Sequence, residues 1–255
     1  MLDELIIMEM NPPFILKDNE VNIGNLKKKS IEFENKILEV IKVTDSVFIT
    51  DSVLGKLRMF SIKIGENIKK KHPKTKVFCS LRTVDHGFSS ILRFVSEASI
   101  NGIDGILLIK GDKPKDGNII NNEAPSSILT KIKKNMKQDN NPVKFYLSID
   151  PTINPQNVKN KIAAEPDGFI TQLVDNVNSF MNIREMIPKR MEVIACTMSN
   201  SPKNENSASM LGIKLNEPVK EMEFMKRLKE ISDGIIISSP KDYQNGLDLI
   251  KKLKE

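Results

Sequence analysis

The feature that most constrains the fold of this chain is an alternation of short apolar segments with longer amphipathic ones, repeated eight times. The apolar segments are five to seven residues long and rich in Ile, Val, Leu and Phe, a composition typical of buried strands. The stretches between them have an apolar period of about 3.6 residues, which predicts helices. The strand candidates are residues 5–10, 46–50, 76–81, 105–110, 143–149, 168–173, 192–197 and 234–238.

Each strand candidate is followed by a helix candidate. Eight such units in 255 residues give about 32 residues per unit, which is typical of a (β/α)8 barrel. The strand candidates are apolar throughout, as expected for a parallel sheet that is covered by helices. We therefore predict an α/β protein with a single (β/α)8 (TIM) barrel domain over residues 1–255. Helices are predicted at 26–42, 57–71, 87–101, 125–138, 155–164, 176–188, 218–230 and 241–254.

Two segments give more specific predictions. In the second helix candidate, Leu57, Phe60, Ile64 and Ile68 fall at helical spacing, so the helix is predicted to include Leu57. Residues 198–211 follow the seventh strand candidate and are rich in Ser and Asn. They are predicted to form a long loop with room for a short helix.

The composition argues against several classes of protein. No apolar run reaches the roughly 18 residues that a membrane-spanning helix needs, and no basic segment precedes an apolar one at the N-terminus. The two cysteines, Cys79 and Cys196, lie far apart and lack CxxC spacing, which argues against a disulfide framework or a zinc cluster. We expect a cytoplasmic protein without a bound metal.

The net charge of +6 raises the question of a nucleic-acid partner. The lysines recur in clusters such as 69–71 and 131–134, and Asp and Glu lie between these clusters. There is no Trp, and only two Tyr are present to stack on bases. The pattern therefore favours solvated helix faces over a surface for nucleic acid.

Glu9 is the first candidate for chemistry, because it ends the first strand and a barrel carries its active site at the carboxyl ends of its strands. Its neighbours Ile7, Met8 and Met10 are apolar. A carboxyl group held there with little water would have a raised pKa and could give a proton to a substrate near neutral pH. The alternative is a structural glutamate tied to backbone amides or to a nearby lysine.

Gly111 and Asp112 follow the fourth strand, and Gln172 lies near the end of the sixth. A glycine lets the backbone approach a ligand closely, and an aspartate can accept hydrogen bonds from the ring N–H groups of a heterocycle. The alternative is an ordinary turn. Gln172 offers a donor and an acceptor to a pterin or flavin edge, or it satisfies a neighbouring backbone group as a buried side chain.

Other reactive side chains give weaker signals. His86 follows the third strand without a partner at metal-ligand spacing, and neither cysteine has a nearby His–Asp pair. No GxGxxG or GxxxxGK[ST] motif is present, so the sequence encodes neither a Rossmann nor a P-loop nucleotide site.

Three motifs, taken together, resemble those of the methylenetetrahydrofolate reductase family, whose members are barrels that normally bind FAD. They are MEMNPP (8–13), GIDGILLIKGDKPKDG (102–117) and DGFITQLVDN (167–176), and their order and spacing agree with the family. The resemblance implies hydride transfer from NAD(P)H to FAD, and from FAD to the methylene carbon of a folate-type or methanopterin-type C1 carrier. The product is a methyl group, in the one-carbon metabolism that feeds methionine biosynthesis.

The resemblance also implies roles for particular residues. Glu9 would be the general acid that protonates the folate nitrogen as the methylene bridge opens to an iminium. Asp112 would lie near the flavin and the pterin, and Gln172 would hydrogen-bond the folate, so that these three form the catalytic set. The residues implied in flavin binding are Thr50, Lys110, Gly111, Asp112, Asp150 and Lys161.

The chain departs from the family at three strand ends. Phe78–Arg82 replaces a His-Leu-Thr-Cys-like run, Asp150-Pro151 replaces Tyr-Pro, and Ala195–Met198 replaces a Pro-Gly-Ile segment. A weaker flavin site, another electron donor and direct hydride transfer without flavin therefore stay open. Two further classes also stay open: a non-catalytic or partner-dependent pterin-binding barrel, and a pterin methyltransferase subunit. A homo-oligomer and a complex with a partner subunit are both compatible with the sequence.

Overall fold

A computed structural model of the chain describes residues 5–16, 20–115, 117–136, 143–150, 152 and 154–255. Within these residues, eight parallel strands form a closed barrel in the order β1 to β8, with helices between them. The predicted (β/α)8 fold is confirmed. The strands are β1 (Ile6–Met10), β2 (Ser46–Ile49), β3 (Lys76–Arg82), β4 (Gly105–Ile109), β5 (Lys144–Ile149), β6 (Gly168–Leu173), β7 (Glu192–Met198) and β8 (Gly234–Ser238).

The helices follow the strands in the predicted order, and local capping explains several of their starts. Asn22, Asn154 and Asn176 each accept a hydrogen bond from a backbone N–H of the first turn that follows. Over the described residues, none of the helices combines the length and the apolar character that crossing a bilayer requires. The helices are α1 (Ile23–Val43), α2 (Ser61–Lys71), α3 (Phe88–Ile100), α4 (Pro125–Asn135), α5 (Pro155–Ile162), α6 (Val177–Met186), α7 (Glu205–Met210), α8 (Pro218–Ile231) and α9 (Tyr243–Lys254).

The start of α2 is the clearest error of the sequence prediction, because the helix begins at Ser61 rather than at 57. The backbone of residues 57–59 pairs instead with residues 13–15, through Ile15 N to Leu57 O (3.0 Å) and Met59 N to Pro13 O (3.0 Å). These long-range bonds use groups that a helix would need. In the predicted loop 198–211, α7 is the short helix. The predicted end of α4 at 137–138 lies outside the described residues.

Contacts within the chain divide it into two compact units, and the prediction of one domain over residues 1–255 stays a prediction. The central unit is Met10–Leu147, and the terminal unit is Met1–Glu9 with Ser148–Glu255. In the central unit, Cys79 Sγ contacts Ser61 O of α2 at 3.5 Å, so this side of β3 faces the helix. Because side chains alternate along a strand, Phe78 and Arg82 lie on the other side of β3.

The terminal unit contains β1 and β6 to β8. β8 pairs in parallel with both β1 and β7. Its residues Ile235, Ile236 and Ile237 are all fully buried, since both faces of the strand are covered. This explains why the sequence of β8 is apolar throughout rather than alternating.

Candidate active site

Glu9 lies at the end of β1, on the face of the strand that points away from α9. Met8 packs against α9, where a Cβ added to Gly246 would lie 2.7 Å from Met8 Cε. Glu9 therefore points to the opposite face, because side chains alternate along a strand. There, Ser238 Oγ donates a hydrogen bond to Glu9 Oε1 at 2.7 Å. The register explains this contact, since Met8 is paired with Ile237 and the next residues along both strands are Glu9 and Ser238.

The Glu9 carboxyl group is half-buried and lies near the thiol of Cys196 on β7. Burial raises the pKa of the Cys196 thiol well above its usual value, and the negative charge of Glu9 raises it further. Burial likewise raises the pKa of Cys79. Both cysteines are therefore held as neutral thiols, which agrees with the expectation that neither is a nucleophile.

Gln172 lies at a β-bulge in β6. The register of β6 against β7 shifts between Ile170 and Leu173, which places one extra residue in β6. Thr171 Oγ1 accepts a hydrogen bond from Cys196 N at 2.9 Å and so replaces a bond of the ladder. Gln172 is exposed, and its side-chain amide has no hydrogen-bond partner among the described residues. The alternative of a buried glutamine that satisfies the backbone is therefore wrong.

Thr50 is buried at the end of β2 and contacts the segment that follows β1. Its backbone N donates to Met10 O at 3.1 Å, and its Oγ1 donates to Asn11 Oδ1 at 2.9 Å. The hydroxyl of Thr50 thus holds a neighbouring part of the protein chain.

Arg82 is a residue that the sequence reasoning missed. It is 1% exposed, and its guanidinium joins the segments after β2, β3 and β4. Nη1 donates to Ser52 O at 2.7 Å, Nε donates to Asp85 Oδ2 at 2.7 Å, and Nη2 donates to Asp112 O at 2.7 Å. The sequence marks Arg82 as a departure from the family, but two of its three partners are backbone carbonyls, which no residue type reveals.

Asp51 supports the same arrangement, because its Oδ2 accepts a hydrogen bond from Arg82 N at 3.1 Å. Burial raises the pKa of Asp51 above its usual value of 3.8, although the hydrogen bond and the charge of Arg82 act in the opposite direction. The carboxyl group is thus paired but poorly solvated.

Gly111 packs directly against Arg82. Its φ of +83° favours glycine, and a Cβ at this position would lie 2.9 Å from Arg82 Cγ. The group that approaches the backbone of Gly111 closely is therefore the side chain of Arg82. The side chains of its neighbours Lys110 and Asp112 are exposed, and the carboxylate of Asp112 has no hydrogen-bond partner among the described residues.

Asp150 and Lys161 lie near the end of β5, and both contact the local backbone. Asp150 Oδ1 accepts hydrogen bonds from the N and the Oγ1 of Thr152, each at 2.7 Å. Lys161 Nζ donates to Ser148 O at 2.5 Å. Burial lowers the pKa of Lys161, and the charge of Asp150 opposes this effect. Pro151 lies outside the described residues.

His86 packs with aromatic side chains rather than with carboxylates. Its ring centroid lies 5.1 Å from that of Phe94 and 6.1 Å from that of Phe60. Across the described part of the chain, no group of three or more His, Cys, Asp or Glu side chains is placed to hold a metal ion.

The eight residues singled out from the sequence are divided between the two units. Glu9 and Gln172 lie in the last two or three residues of their strands and Lys161 lies on α5, while the other five come shortly after a strand. The central unit contains Thr50, Lys110, Gly111 and Asp112, and the terminal unit contains Glu9, Asp150, Lys161 and Gln172.

The fold and these strand ends define a (β/α)8 barrel with polar side chains where such barrels carry their chemistry. The sequence model of the family described as methylenetetrahydrofolate reductase matches residues 29–233, well over half of the chain. The chain belongs to the methylenetetrahydrofolate reductase family, which confirms the resemblance seen in its motifs.

Solved structures share this fold at low sequence identity. A 2,3-dimethylmalate lyase of the PEP mutase/isocitrate lyase superfamily is similar with a TM-score of 0.60 and 9% identity, over 99% of this chain and 78% of that one. The tryptophan synthase alpha chain from Legionella pneumophila subsp. pneumophila gives 0.58 and 9%, over 98% and 90%. A protein from Aquifex aeolicus VF5 gives 0.56 and 14%, over 98% and 92%. These likenesses show the fold alone. No curated protein sequence matches the chain.

Four of the six residues that the resemblance assigns to FAD are engaged within the protein. The hydroxyl of Thr50, the carboxylate of Asp150 and the ammonium of Lys161 all bond to other groups of the protein. The space beside Gly111, where a flavin would approach the backbone, is filled by the Arg82 side chain. These four residues do not fit a flavin held in the manner that the resemblance implies, whereas the side chains of Lys110 and Asp112 are exposed.

Proposed function

We propose that this chain reduces the methylene group of a folate-type or methanopterin-type C1 carrier to a methyl group. Membership of the family supports this class of reaction. The observation that carries the proposal is the Glu9–Ser238 contact: a half-buried carboxyl group with one oxygen fixed by a hydroxyl donor at 2.7 Å. A general acid must be held in a fixed orientation toward the atom it protonates, and this contact fixes the Glu9 carboxyl group at the carboxyl end of β1.

The proposed role of Glu9 is to protonate a nitrogen of the carrier. Because Glu9 Oε1 accepts the hydrogen bond from Ser238, the transferable proton is assigned to Oε2. The bond between the protonated nitrogen and the methylene carbon breaks, and its electron pair goes to that nitrogen. The other nitrogen and the methylene carbon then form an iminium. Addition of a hydride to this carbon completes the methyl group, so each turnover consumes one proton and one hydride.

NAD(P)H is the proposed hydride donor, and it acts as a substrate that leaves in its oxidised form. Direct transfer from the nicotinamide is favoured over a route through FAD, because four of the six residues assigned to FAD contact other protein groups. Gln172, exposed at the bulge of β6, is proposed to hydrogen-bond the carrier or the carboxamide of the nicotinamide. The exposed carboxylate of Asp112 is proposed to accept hydrogen bonds from ring N–H groups of the pterin.

The experiment that tests this proposal begins with the absorption spectrum of the purified protein and its titration with FAD and FMN. Oxidation of NADH and of NADPH is then followed with methylene-tetrahydrofolate and with methylene-tetrahydromethanopterin, under anaerobic conditions. We expect a colourless protein that oxidises the nicotinamide only when a carrier is present and that forms the methyl product.

Each other result has a defined meaning. A bound flavin that is bleached by NAD(P)H and restored by the carrier would keep the reaction but contradict direct transfer. Binding of the carrier in calorimetry without any turnover would contradict the reductase and favour a partner-dependent pterin-binding barrel. Methyl transfer from a methyl-pterin to an added corrinoid would favour the methyltransferase.

A further inference from the structure

Four lysines lie on the segments after β2 and β4. Lys56, Lys110, Lys113 and Lys115 are all exposed, and none forms an ion pair with a described residue. We call these four residues the cationic rim; all of them belong to the central unit.

Some lysines on the helices form ion pairs. Lys63 lies 2.9 Å from Glu66, Lys131 lies 2.6 Å from Glu123, and Lys251 lies 3.1 Å from Asp248. Other helix lysines, such as Lys27 and Lys28 on α1, are exposed and form no ion pair with a described residue. The feature that distinguishes the cationic rim is therefore the close approach of the two segments that carry it.

The backbone brings the two segments of the rim into direct contact. Lys115 N donates to Gly55 O at 3.0 Å, and a Cβ added to Gly55 would lie only 2.2 Å from Lys113 O. The buried guanidinium of Arg82 also bonds to a carbonyl of each segment. The backbone that carries the four lysines is therefore fixed by hydrogen bonds, although the positive charges of the lysines repel one another. Such an arrangement suits a ligand with several negative charges.

Exposed apolar side chains lie on the same segments. Leu54 and Leu57 are 38% and 44% exposed, and Phe14 is 38% exposed. The Cζ atom of Arg58 lies 3.8 Å from the centroid of the Phe14 ring, and Lys56 Nζ lies 5.6 Å from it. Apolar side chains therefore lie beside the lysines of the cationic rim. Such a surface can bind an aromatic ring that is joined to anionic groups.

We propose that the cationic rim binds the anionic end of a ligand, a moiety with at least two negative charges joined to an aromatic ring. This inference rests on the proposed function, which supplies two ligands with that chemistry. One is the nicotinamide dinucleotide, whose phosphates are joined to adenine. The other is the C1 carrier, whose anionic tail follows an aromatic ring.

The test uses the full chain with Lys113→Gln and Lys115→Gln combined, and a control with Lys27→Gln and Lys28→Gln. The control loses the same charge from exposed positions on α1. Michaelis constants are measured for NADH, NADPH, and methylene-tetrahydrofolate with one or several glutamates. We expect the rim variant to raise the KM of one ligand about 3- to 30-fold, with kcat nearly unchanged. Added salt should reduce this difference in KM between the wild type and the rim variant, because it screens the charges.

The pattern of the increase identifies the ligand. A rise for NADPH and NADH with no change for the carrier assigns the rim to the phosphates of the nucleotide. A rise that is larger for the oligoglutamyl than for the monoglutamyl carrier assigns it to the tail. If the rim variant matches the control for every ligand, the rim is only a solvated surface and the proposal is overturned.

A binding measurement separates this proposal from the proposed function. The adenosine bisphosphate fragment of NADPH and a p-aminobenzoyl-oligoglutamate are titrated into each variant by calorimetry, without turnover. Binding of either fragment to the wild type and the control, but not to the rim variant, supports the rim even if the chain has no reductase activity. Equal binding of the fragments to all three proteins, or to none of them, contradicts it.

Discussion

The segments after β2, β3 and β4 meet around a buried charged side chain, whereas the segments after β7 and β8 meet around a buried neutral one. The half-buried carboxylate of Asp242 also links the latter two segments, since it accepts a hydrogen bond from Ser201 Oγ at 2.5 Å. In the central unit, the guanidinium of Arg82 bonds to Ser52, Asp85 and Asp112. In the terminal unit, the amide of Asn204 is the corresponding centre. It is fully buried, and its Nδ2 donates to Ser199 Oγ at 2.9 Å and to Ser239 Oγ at 3.1 Å.

The Arg82 and Asn204 networks show that the two units hold the segments after their strands in different ways. A buried cation reaches three partners from one side chain, but its loss leaves carboxylates and carbonyls unpaired at low solvation. The neutral network spreads its bonds over several small side chains, with Ser199 Oγ donating to Ser239 Oγ at 2.7 Å as one example. The loss of one member therefore costs less. The two units should differ in their response to mutation and to pH.

Glu9 is the proposed general acid and belongs to the terminal unit. Its substitution gives the largest expected effect on the rate. Glu9→Gln keeps an acceptor for the hydroxyl of Ser238 but cannot supply a proton. We expect the rate of methylene reduction to fall by about 10²- to 10⁴-fold, while the free energy of unfolding changes by no more than about 1 kcal/mol because the amide oxygen still accepts from Ser238. Steady-state kinetics and urea denaturation measure the two quantities, and an equal rate in wild type and variant would remove Glu9 from the chemistry.

Removal of the central cation tests the other side of the comparison. Arg82→Met is expected to lower the free energy of unfolding by about 3–5 kcal/mol, because the carboxylate of Asp85 and the carbonyls of Ser52 and Asp112 lose their buried partner. Urea denaturation measures the effect. Arg93→Met on the exposed face of α3 is the matched control and should change stability little. Similar values for the two variants would show that the buried network contributes no stability.

The neutral network should be less sensitive. Asn204→Ala removes the bonds to Ser199 and Ser239 and the bond that Lys241 N donates to Asn204 Oδ1 at 3.0 Å. We expect a loss of about 2–3 kcal/mol, measured by the same urea denaturation. The exposed Asn35→Ala on α1 is the control. A loss as large as that of Arg82→Met would contradict the comparison.

The smallest expected effect is a pH dependence of stability that involves Asp51 in the central unit. Burial raises the pKa of Asp51 in the folded state above its usual 3.8, so the unfolded chain loses this proton first as the pH rises. The folded state therefore loses stability between the unfolded and the folded pKa of this group. The wild type should lose stability relative to Asp51→Asn as the pH rises through that window, and the difference should stay constant above it.

Asn204→Ala is the control for this pH dependence. Because its network consists of amides, hydroxyls and backbone groups, its effect on stability should not change across the same window. Urea denaturation at a series of pH values measures both differences. A wild type that gains stability relative to Asp51→Asn as the pH rises would contradict the direction of the Asp51 shift.

The sequence predicted what depends on local pattern. Strand β8 matches its predicted range because its isoleucines make both of its faces apolar. Strand β6 also matches, since Phe169 and Ile170 mark it as a strand although Thr171 and Gln172 are polar. Glu9 stood out because it is a carboxylate at the end of an apolar run. Its partner Ser238 could not be found in this way, since it is 229 residues distant in the chain and becomes a neighbour only when β1 pairs with β8.

The features that the sequence did not predict depend on contacts between distant segments. The late start of α2 follows from the pairing of residues 57–59 with 13–15, which competes with a locally favourable helix. The bulge that exposes Gln172 depends on the register of β6 against β7. The role of Arg82 depends on carbonyl groups that every residue has, so their direction is known only from the folded chain.

The packing of Gly111 against Arg82 also has a consequence for how these two positions tolerate substitution. A side chain added at 111 would collide with the arginine, while a smaller residue at 82 would open an empty space beside the glycine. We therefore expect the two positions to be energetically coupled, so that a side chain added at 111 costs less stability once Arg82 has been replaced by a smaller residue.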